Sequence, residues 1–201
     1  MADQWYQSKE AVLKGKIARK YKKLEPILKN MAVKRRVLDI GCNGGVVSML
    51  SAKYKAAKVV GIDKRVHAIQ QANMGVDSWV KKGLLKHGKN ISFINRDLND
   101  NLELLDQANF IIMIRVIYHL NNNIITILDR IKDREDMIML IQGNPARREK
   151  AALETRKYGN KLALSPAISS LLNSYNFSTV ILPDEIVIAK HKNSKFDLSK
   201  I

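Results

Sequence analysis

The residues of this chain best suited to hold a ligand lie in Val37-Leu-Asp-Ile-Gly-Cys-Asn-Gly-Gly45 and at the end of Lys58-Val-Val-Gly-Ile-Asp63. The first segment runs from a buried strand into a glycine-rich turn. The second is a strand that closes on an acid. Glycines let the backbone approach a ligand closely, and an acid ending the next strand accepts hydrogen bonds from ribose hydroxyls; an α/β sheet binds a nucleoside in this way. A dinucleotide needs Gly-x-Gly-x-x-Gly to seat its pyrophosphate on a helix N-terminus. Gly41, Asn43, Gly44 and Gly45 do not supply that spacing. Cys42 reads as a small turn residue rather than a nucleophile.

The elements that would carry these residues alternate between strand and helix. Strands are expected at Arg36–Gly41, Lys58–Asp63, Asn90–Asn95, Phe110–Val116 and Asp136–Gln142. Helices are expected at Gly45–Tyr54, Val66–Lys82 and Asn122–Lys132, with a short helical stretch around Asn101–Asp106. Such alternation implies right-handed crossovers and a mostly parallel sheet. The strands are continuously apolar, as suits a sheet covered by helices on both faces. Before the first strand, Leu13, Ile17, Tyr21 and Leu24 recur at helical spacing over about Ser8–Glu25, an amphipathic helix expected to pack beside the glycine turn. After the fifth strand, Ser165 is expected to cap a helix running to Ser174, with Pro166 at its first position. Phe177–Leu182 and Glu185–Lys190, joined by Pro183-Asp184, form an antiparallel hairpin. The whole reads as one domain over 1–201: a basic helical segment to residue 35, a core over 36–190, and a polar, mobile tail over 191–201.

The 201 residues carry 35 Lys and Arg against 19 Asp and Glu, a net charge of +16. Between Lys9 and Arg36 eleven of those cations face only Glu10 and Glu25. Such a field attracts polyanions, which favours an anionic partner, RNA among them, though a solvated helix face has the same composition. Aromatic content is only 6%, which argues against a base-stacking platform. One cysteine excludes an internal disulfide framework, and His67, His87, His119 and His191 have no metal-ligand spacing. No apolar run is long enough to span a bilayer and no signal-peptide core opens the chain, so a cytoplasmic protein without membrane segments is expected.

Asp39-x-Gly41-x-Asn43-x-Gly45 resembles motif I of the class I S-adenosylmethionine-dependent methyltransferases, with Asn43 in place of the middle glycine. Asparagine tolerates left-handed backbone, so the turn survives that exchange. The resemblance covers most of the chain. It implies a doubly wound, Rossmann-like α/β fold of seven strands in the order 3-2-1-4-5-7-6, strand 7 antiparallel. It also implies S-adenosyl-L-methionine as cofactor. Asp39, Gly41, Cys42, Asn43 and Gly45 would form the loop under its methionine part, and Asp63 would hold the ribose diol. Lys64 would flank the adenine, while Asp97 takes its amino group and the Leu98 amide meets a ring nitrogen. Either acid, taken alone, is equally a helix N-cap.

The same resemblance directs the end of strand 4, Arg115-Val-Ile-Tyr-His-Leu120, toward the methyl group and the acceptor. Tyr118 and His119 are therefore the catalytic candidates. Histidine suits removal of a proton from a nucleophile, and also suits a structural cap on the next helix. Arg115 is a candidate partner for the cofactor carboxylate. Gln142 and Asn144, with the basic Arg147 and Arg148 after them, are candidates to orient the acceptor. Val-Ile-Tyr-His also resembles the corresponding stretch of the enzyme that transfers a carboxymethyl group to tRNA wobble uridine, and of its methyltransferase relatives. The Lys-Asp-Lys-Glu set of cap ribose methyltransferases lacks its strand-5 lysine here. The Asn/Asp-Pro-Pro-Tyr/Phe motif of amino-methyltransferases is replaced by Ile-Tyr-His-Leu. The acceptor expected is RNA, tRNA among the candidates. A small molecule or saccharide precursor is the alternative, as is a non-catalytic domain that binds nucleic acid or protein.

Overall fold

A computed structural model describes residues 12–15, 17, 19–120, 123–144 and 164–201. Seven strands form one sheet: β1 (Arg36–Ile40), β2 (Lys58–Asp63), β3 (Ile91–Asn95), β4 (Phe110–Ile114), β5 (Ile138–Gln142), β6 (Phe177–Leu182) and β7 (Ile186–His191). Their order is β3-β2-β1-β4-β5-β7-β6, as expected from the resemblance. β1 pairs parallel with β2, β2 with β3 and β4 with β5, whereas β7 runs antiparallel to β5 and β6. The helices among the described residues are α1 (Arg19–Lys22), α2 (Glu25–Met31), α3 (Val46–Lys53), α4 (Val66–Lys81), α5 (Glu103–Gln107), α6 (Asn123–Ile131) and α7 (Ser165–Asn173). The chain clusters into two compact units divided after Asn101. No helix among the described residues is long and apolar enough to cross a membrane.

In the first unit, β1 and β2 bury Val37, Leu38, Ile40, Val59 and Ile62, and the helices bury Leu28, Met31, Met49, Leu50 and Trp79. The helix expected over Ser8–Glu25 is not continuous. Its described part turns at Gly15, which takes φ +68 and donates its N–H to the Val12 carbonyl at 3.0 Å. A left-handed glycine ends a helix because it carries no Cβ to clash. The carbonyls exposed at that end are satisfied from α4: Trp79 Nε1 donates to Val12 O at 2.9 Å, while Ser78 Oγ and Lys82 Nζ both donate to Leu13 O at 2.6 Å. Val12 is the fully buried residue of this turn, with Tyr21 and Leu24 beyond it, whereas Leu13 and Ile17 are half-exposed.

The second unit buries Phe110, Ile111, Ile112 and Met113 of β4, Ile138 through Ile141 of β5, and Ile127, Leu128, Leu172 and Phe177. Strand β4 stops two residues before the expected Val116, because Arg115 takes a left-handed φ of +58. Helix α7 is capped differently from expectation. The Ser165 side chain makes no cap; its N–H donates instead to Glu185 Oε2 at 2.6 Å, from the turn of the β6–β7 hairpin. A carboxylate at a helix N-terminus meets both the free N–H groups and the positive end of the helix dipole. The tail expected to be mobile is hydrogen-bonded into this unit. His191 extends β7 and donates its N–H to Met137 O at 3.0 Å, and Lys190 Nζ reaches Ser194 O at 2.8 Å.

Candidate functional site

In the first unit the site is built where β1 and β2 end. Gly41, Asn43 and Gly45 all have positive φ, at +68, +50 and +74. Asn43 thus holds the left-handed position at which the sequence departs from glycine, and Gly45 is the N-cap of α3. Space is as restrictive as backbone here. A Cβ on Gly45 would stand 2.6 Å from Phe93 Cζ and 2.8 Å from Ala72 Cβ, and one on Gly44 would stand 2.8 Å from Gln71 Nε2. Gly45→Ala therefore combines left-handed strain with overpacking. The expected loss is roughly 2–5 kcal/mol, read as a fall in the thermal midpoint of about 5–15 °C.

Asp39 is buried at the end of β1 and accepts a hydrogen bond from Ser48 Oγ at 2.5 Å. Burial pushes its carboxyl up to about 7. The Ser48 bond opposes that shift, and the negative Asp63 adds to it. Asp63 also lies buried, at the end of β2, and its environment acts the other way. Its Oδ2 accepts from the Asn43 N–H and from Arg65 Nη2, and its Oδ1 from the Arg65 N–H and Arg65 Nε, each at 3.0 Å. Burial raises the Asp63 carboxyl, but the Arg65 fork and the two backbone donors outweigh it and hold the group below the usual carboxylate value. Cys42 is buried, and burial, with Asp39 and Asp63 beside it, pushes its thiol up. A thiol so placed is inert, which suits a turn residue.

The other expected cofactor residues of this unit flank the same strand ends. Asn95 Nδ2 at the end of β3 donates to Asp63 O at 3.0 Å, so the ends of β2 and β3 are tied together. Asp97 follows and caps a single 3-10 turn, Leu98–Asp100, its Oδ1 accepting from Asn99 N at 3.0 Å and Asn99 Nδ2 at 2.7 Å. Leu98 is buried behind it, and Lys64 is exposed. Three contributors were missed in the sequence: Ser48, Arg65 and Gln71. Gln71 Nε2 is buried beside Gly44 and has no hydrogen-bond partner among the described residues. Two carboxylates, a turn that excludes side chains and an orphaned amide donor together suit a ligand with a ribose diol, positive charge and a carboxylate. S-adenosylmethionine has all three.

In the second unit the expected catalytic residues lie on a 3-10 turn, Ile117–His119, just after β4. Tyr118 is buried and His119 is exposed, their ring centroids 4.4 Å apart. Tyr118 Oη accepts from Asn144 Nδ2 at 3.3 Å, so Asn144 braces the tyrosine. Gln142, expected to face an acceptor, is buried with its Nε2 donating to Asp184 O at 3.2 Å and its carbonyl accepting the Arg115 N–H at 2.8 Å. That side chain ties β5 to the hairpin turn. Arg115 Nε is buried with no partner among the described residues. Arg147 and Arg148 lie outside those residues. No group of three or more metal-ligating side chains occurs among the described residues.

A model of a family described as "methyltransferase domain" matches residues 10–157. None of the curated proteins matches the chain in sequence. Several solved structures share the fold at low identity. Magnesium protoporphyrin IX methyltransferase from Synechocystis PCC 6803, crystallised with S-adenosylmethionine, is 16% identical with a TM-score of 0.57, over 86% of this chain and 78% of that one. Ribosomal protein L11 methylase from Lactobacillus delbrueckii subsp. bulgaricus is 15% identical with a TM-score of 0.53, over 86% and 78%. The N-methyltransferase NodS from Bradyrhizobium japonicum WM9 is 16% identical with a TM-score of 0.54, over 86% and 93%. Their names cover a tetrapyrrole and a ribosomal protein, so the shared fold leaves the acceptor open. Matched over most of its length by the family model, with the strand order and glycine turn in place, the chain belongs to the methyltransferase domain family and is an S-adenosylmethionine-dependent enzyme.

Proposed function

We propose that this chain transfers a methyl group to an RNA acceptor in the cytoplasm. The observation that carries the acceptor is the charge of the segment that precedes β1. Lys9–Arg36 holds eleven Lys and Arg against two Glu, and Val12 within it seats its Cγ2 3.4 Å from where a Gly44 Cβ would stand. A segment so basic raises the local concentration of a polyanion around the protein.

S-adenosylmethionine, when bound, supplies a methyl group on a cationic sulfonium and its own leaving group, so the protein mainly aligns the reactants. Gly41, Asn43 and Gly45 would lie under its methionine part, with Cys42 filling the turn from below. Gln71 Nε2 is the donor proposed for its carboxylate. Asp39 supplies negative potential, Asp63 accepts the ribose hydroxyls, and Asp97, Leu98 and Lys64 surround the adenine. His119, exposed against the Tyr118 ring, takes a proton from the acceptor where its nucleophile carries one.

The low aromatic content favours a second reading, a small-molecule or saccharide acceptor. Transfer of label from S-[methyl-³H]adenosylmethionine into RNA, protein and metabolite pools decides between them. Label is expected in RNA; label confined to small molecules would sink the RNA reading. His119→Ala is expected to slow transfer by about 10²–10⁴-fold while sparing cofactor affinity. Undiminished turnover would remove His119 as a base. A non-catalytic binder would show no transfer to any pool.

A further inference from the structure

The basic charge is not spread evenly. Residues 1–101 hold 21 Lys and Arg against 8 Asp and Glu, a net +13 of the chain's +16. Within that half, residues 26–38, 52–62 and 78–96 contain twelve Lys and Arg and no acid at all. These stretches include the approaches to β1, β2 and β3, which lie side by side in the sheet.

Backbone hydrogen bonds hold the three approaches together. Lys34 N donates to Lys55 O at 2.9 Å, and Ala57 N donates to Arg35 O at 2.8 Å. Arg36 is the register partner of Lys58. Val59 N donates to Asn90 O at 2.7 Å, and Asn90 Nδ2 to Ala56 O at 2.9 Å, which sets Asn90 level with Lys58 and Lys89 one residue before it. Lys34, Arg36, Lys55, Lys58 and Lys89 are exposed. Neighbouring strands lie about 4.8 Å apart, so cations recur along this edge at an interval of the same order as the charges on a nucleic-acid strand. Glu25, which precedes the first stretch, is engaged by Tyr54 Oη at 2.9 Å and Lys53 Nζ at 4.0 Å.

Two of these lysines sit where the backbone alone would favour another residue. Lys34 has φ +59 and Lys55 φ +63. A left-handed lysine costs on the order of 1 kcal/mol that glycine would avoid. Charge is therefore presented on this edge at the expense of local backbone comfort. The edge is also separate from the cofactor turn: it lies at the N-terminal ends of β1 and β2, and Gly41 follows the C-terminal end of β1. Strands of five and six residues put about 17–20 Å between the two.

We propose that this edge is an RNA-docking surface that grips the phosphate backbone of the acceptor at a distance from the methylated position. The proposal rests on the RNA reading above and adds where the acceptor is held. An anionic membrane fits less well. Val33 is the large hydrophobic side chain exposed among these approaches, whereas surface-bound segments bury a broad apolar face.

The test is a variant that removes charge and relieves strain together, Lys34→Gly/Lys55→Gly/Lys58→Gln, against the control Lys192→Gln/Lys195→Gln. Anisotropy of a fluorescein-labelled mixed-sequence single-stranded RNA is followed across a salt series, with S-adenosylmethionine affinity measured in parallel. The variant is expected to bind RNA about tenfold or more weakly at 0.1 M salt. Each lost phosphate contact lowers the slope of log Kd against log[salt] by about 0.7, or about 2 for three contacts. Cofactor affinity and the control's RNA binding are expected to stay at wild type. Wild-type RNA affinity and slope in the variant would overturn the surface even if RNA is the methylated pool. Conversely, lost RNA binding in the variant with label found only in small molecules would retain the surface and overturn the RNA acceptor. Wild-type binding to phosphatidylserine vesicles but not to RNA would overturn the proposal in favour of a membrane.

Discussion

Asp63→Ala is expected to weaken S-adenosylmethionine binding by about 100-fold or more, with the fold retained. Two ribose hydroxyls donating to a carboxylate are worth about 1.5–3 kcal/mol each, and 2.7 kcal/mol is already a factor of 100. Calorimetric titration reads the change, and an affinity within threefold of wild type would exclude Asp63 from the ribose site. The structure adds a contrast. A carboxylate offers about four lone-pair sites, and all four are occupied by Asn43 N, Arg65 N, Arg65 Nε and Arg65 Nη2. For the ribose to bind, the two guanidinium bonds must release. The Arg65 side chain is 39% exposed and has solvent to swing into. A partly exposed ion pair is worth only about 0.2–1 kcal/mol. Arg65→Ala is therefore expected to tighten cofactor binding by about 1.4- to fivefold, the direction opposite to Asp63→Ala. Weakened binding in Arg65→Ala would mean that the arginine holds Asp63 in place instead of competing for it.

That fork also marks the limit of what was legible in the sequence. The strands were legible because five apolar runs of strand length alternate with helical patterns. The turn was legible because glycine, and failing it asparagine, is what a left-handed position requires. Asn43 at φ +50 fits that requirement. Arg65 was not legible because nothing in its spacing from Asp63 distinguishes a fork from a solvated cation; the choice is made by rotamer and burial. Glu185 capping α7 across twenty residues was hidden for a different reason. The serine at the helix start and the proline after it satisfy the local rule on their own, and only tertiary packing shows that a distant carboxylate has taken the role. Gly15 was read within a periodic pattern, where one glycine among apolar residues at helical spacing did not reveal that donors on α4 stood ready to receive the exposed carbonyls.

Asp39→Asn is expected to stabilise the protein while impairing the cofactor site. The folded-state value of about 7 lies above the ordinary 3.8, the reverse of a salt-bridged aspartate. Below about pH 4 both the folded and unfolded chains hold the proton and nothing is lost. Between about 4 and 7 the unfolded chain releases it while the folded chain retains it, so stability falls as pH rises. Above about 7 both are ionised and the full penalty stands, on the order of 4 kcal/mol at 1.36 kcal/mol per unit. Asparagine keeps the shape and an acceptor for Ser48 Oγ but never ionises. At pH 8 its thermal midpoint is expected to exceed wild type by roughly 5–10 °C, after allowing for an amide proton that Asp39 did not have to place. The two midpoints should converge near pH 4, and a difference independent of pH would refute ionisation as the cause. The proposed cofactor site would supply a reason for keeping the acid. S-adenosylmethionine carries positive charge at its sulfonium and amine, so it favours the ionised form. Its affinity for wild type is expected to rise as pH passes through about 7, while that of Asp39→Asn stays weaker and flat. A buried carboxylate poised at this value sacrifices stability in the empty protein for attraction toward a cation, the exchange that active sites commonly make.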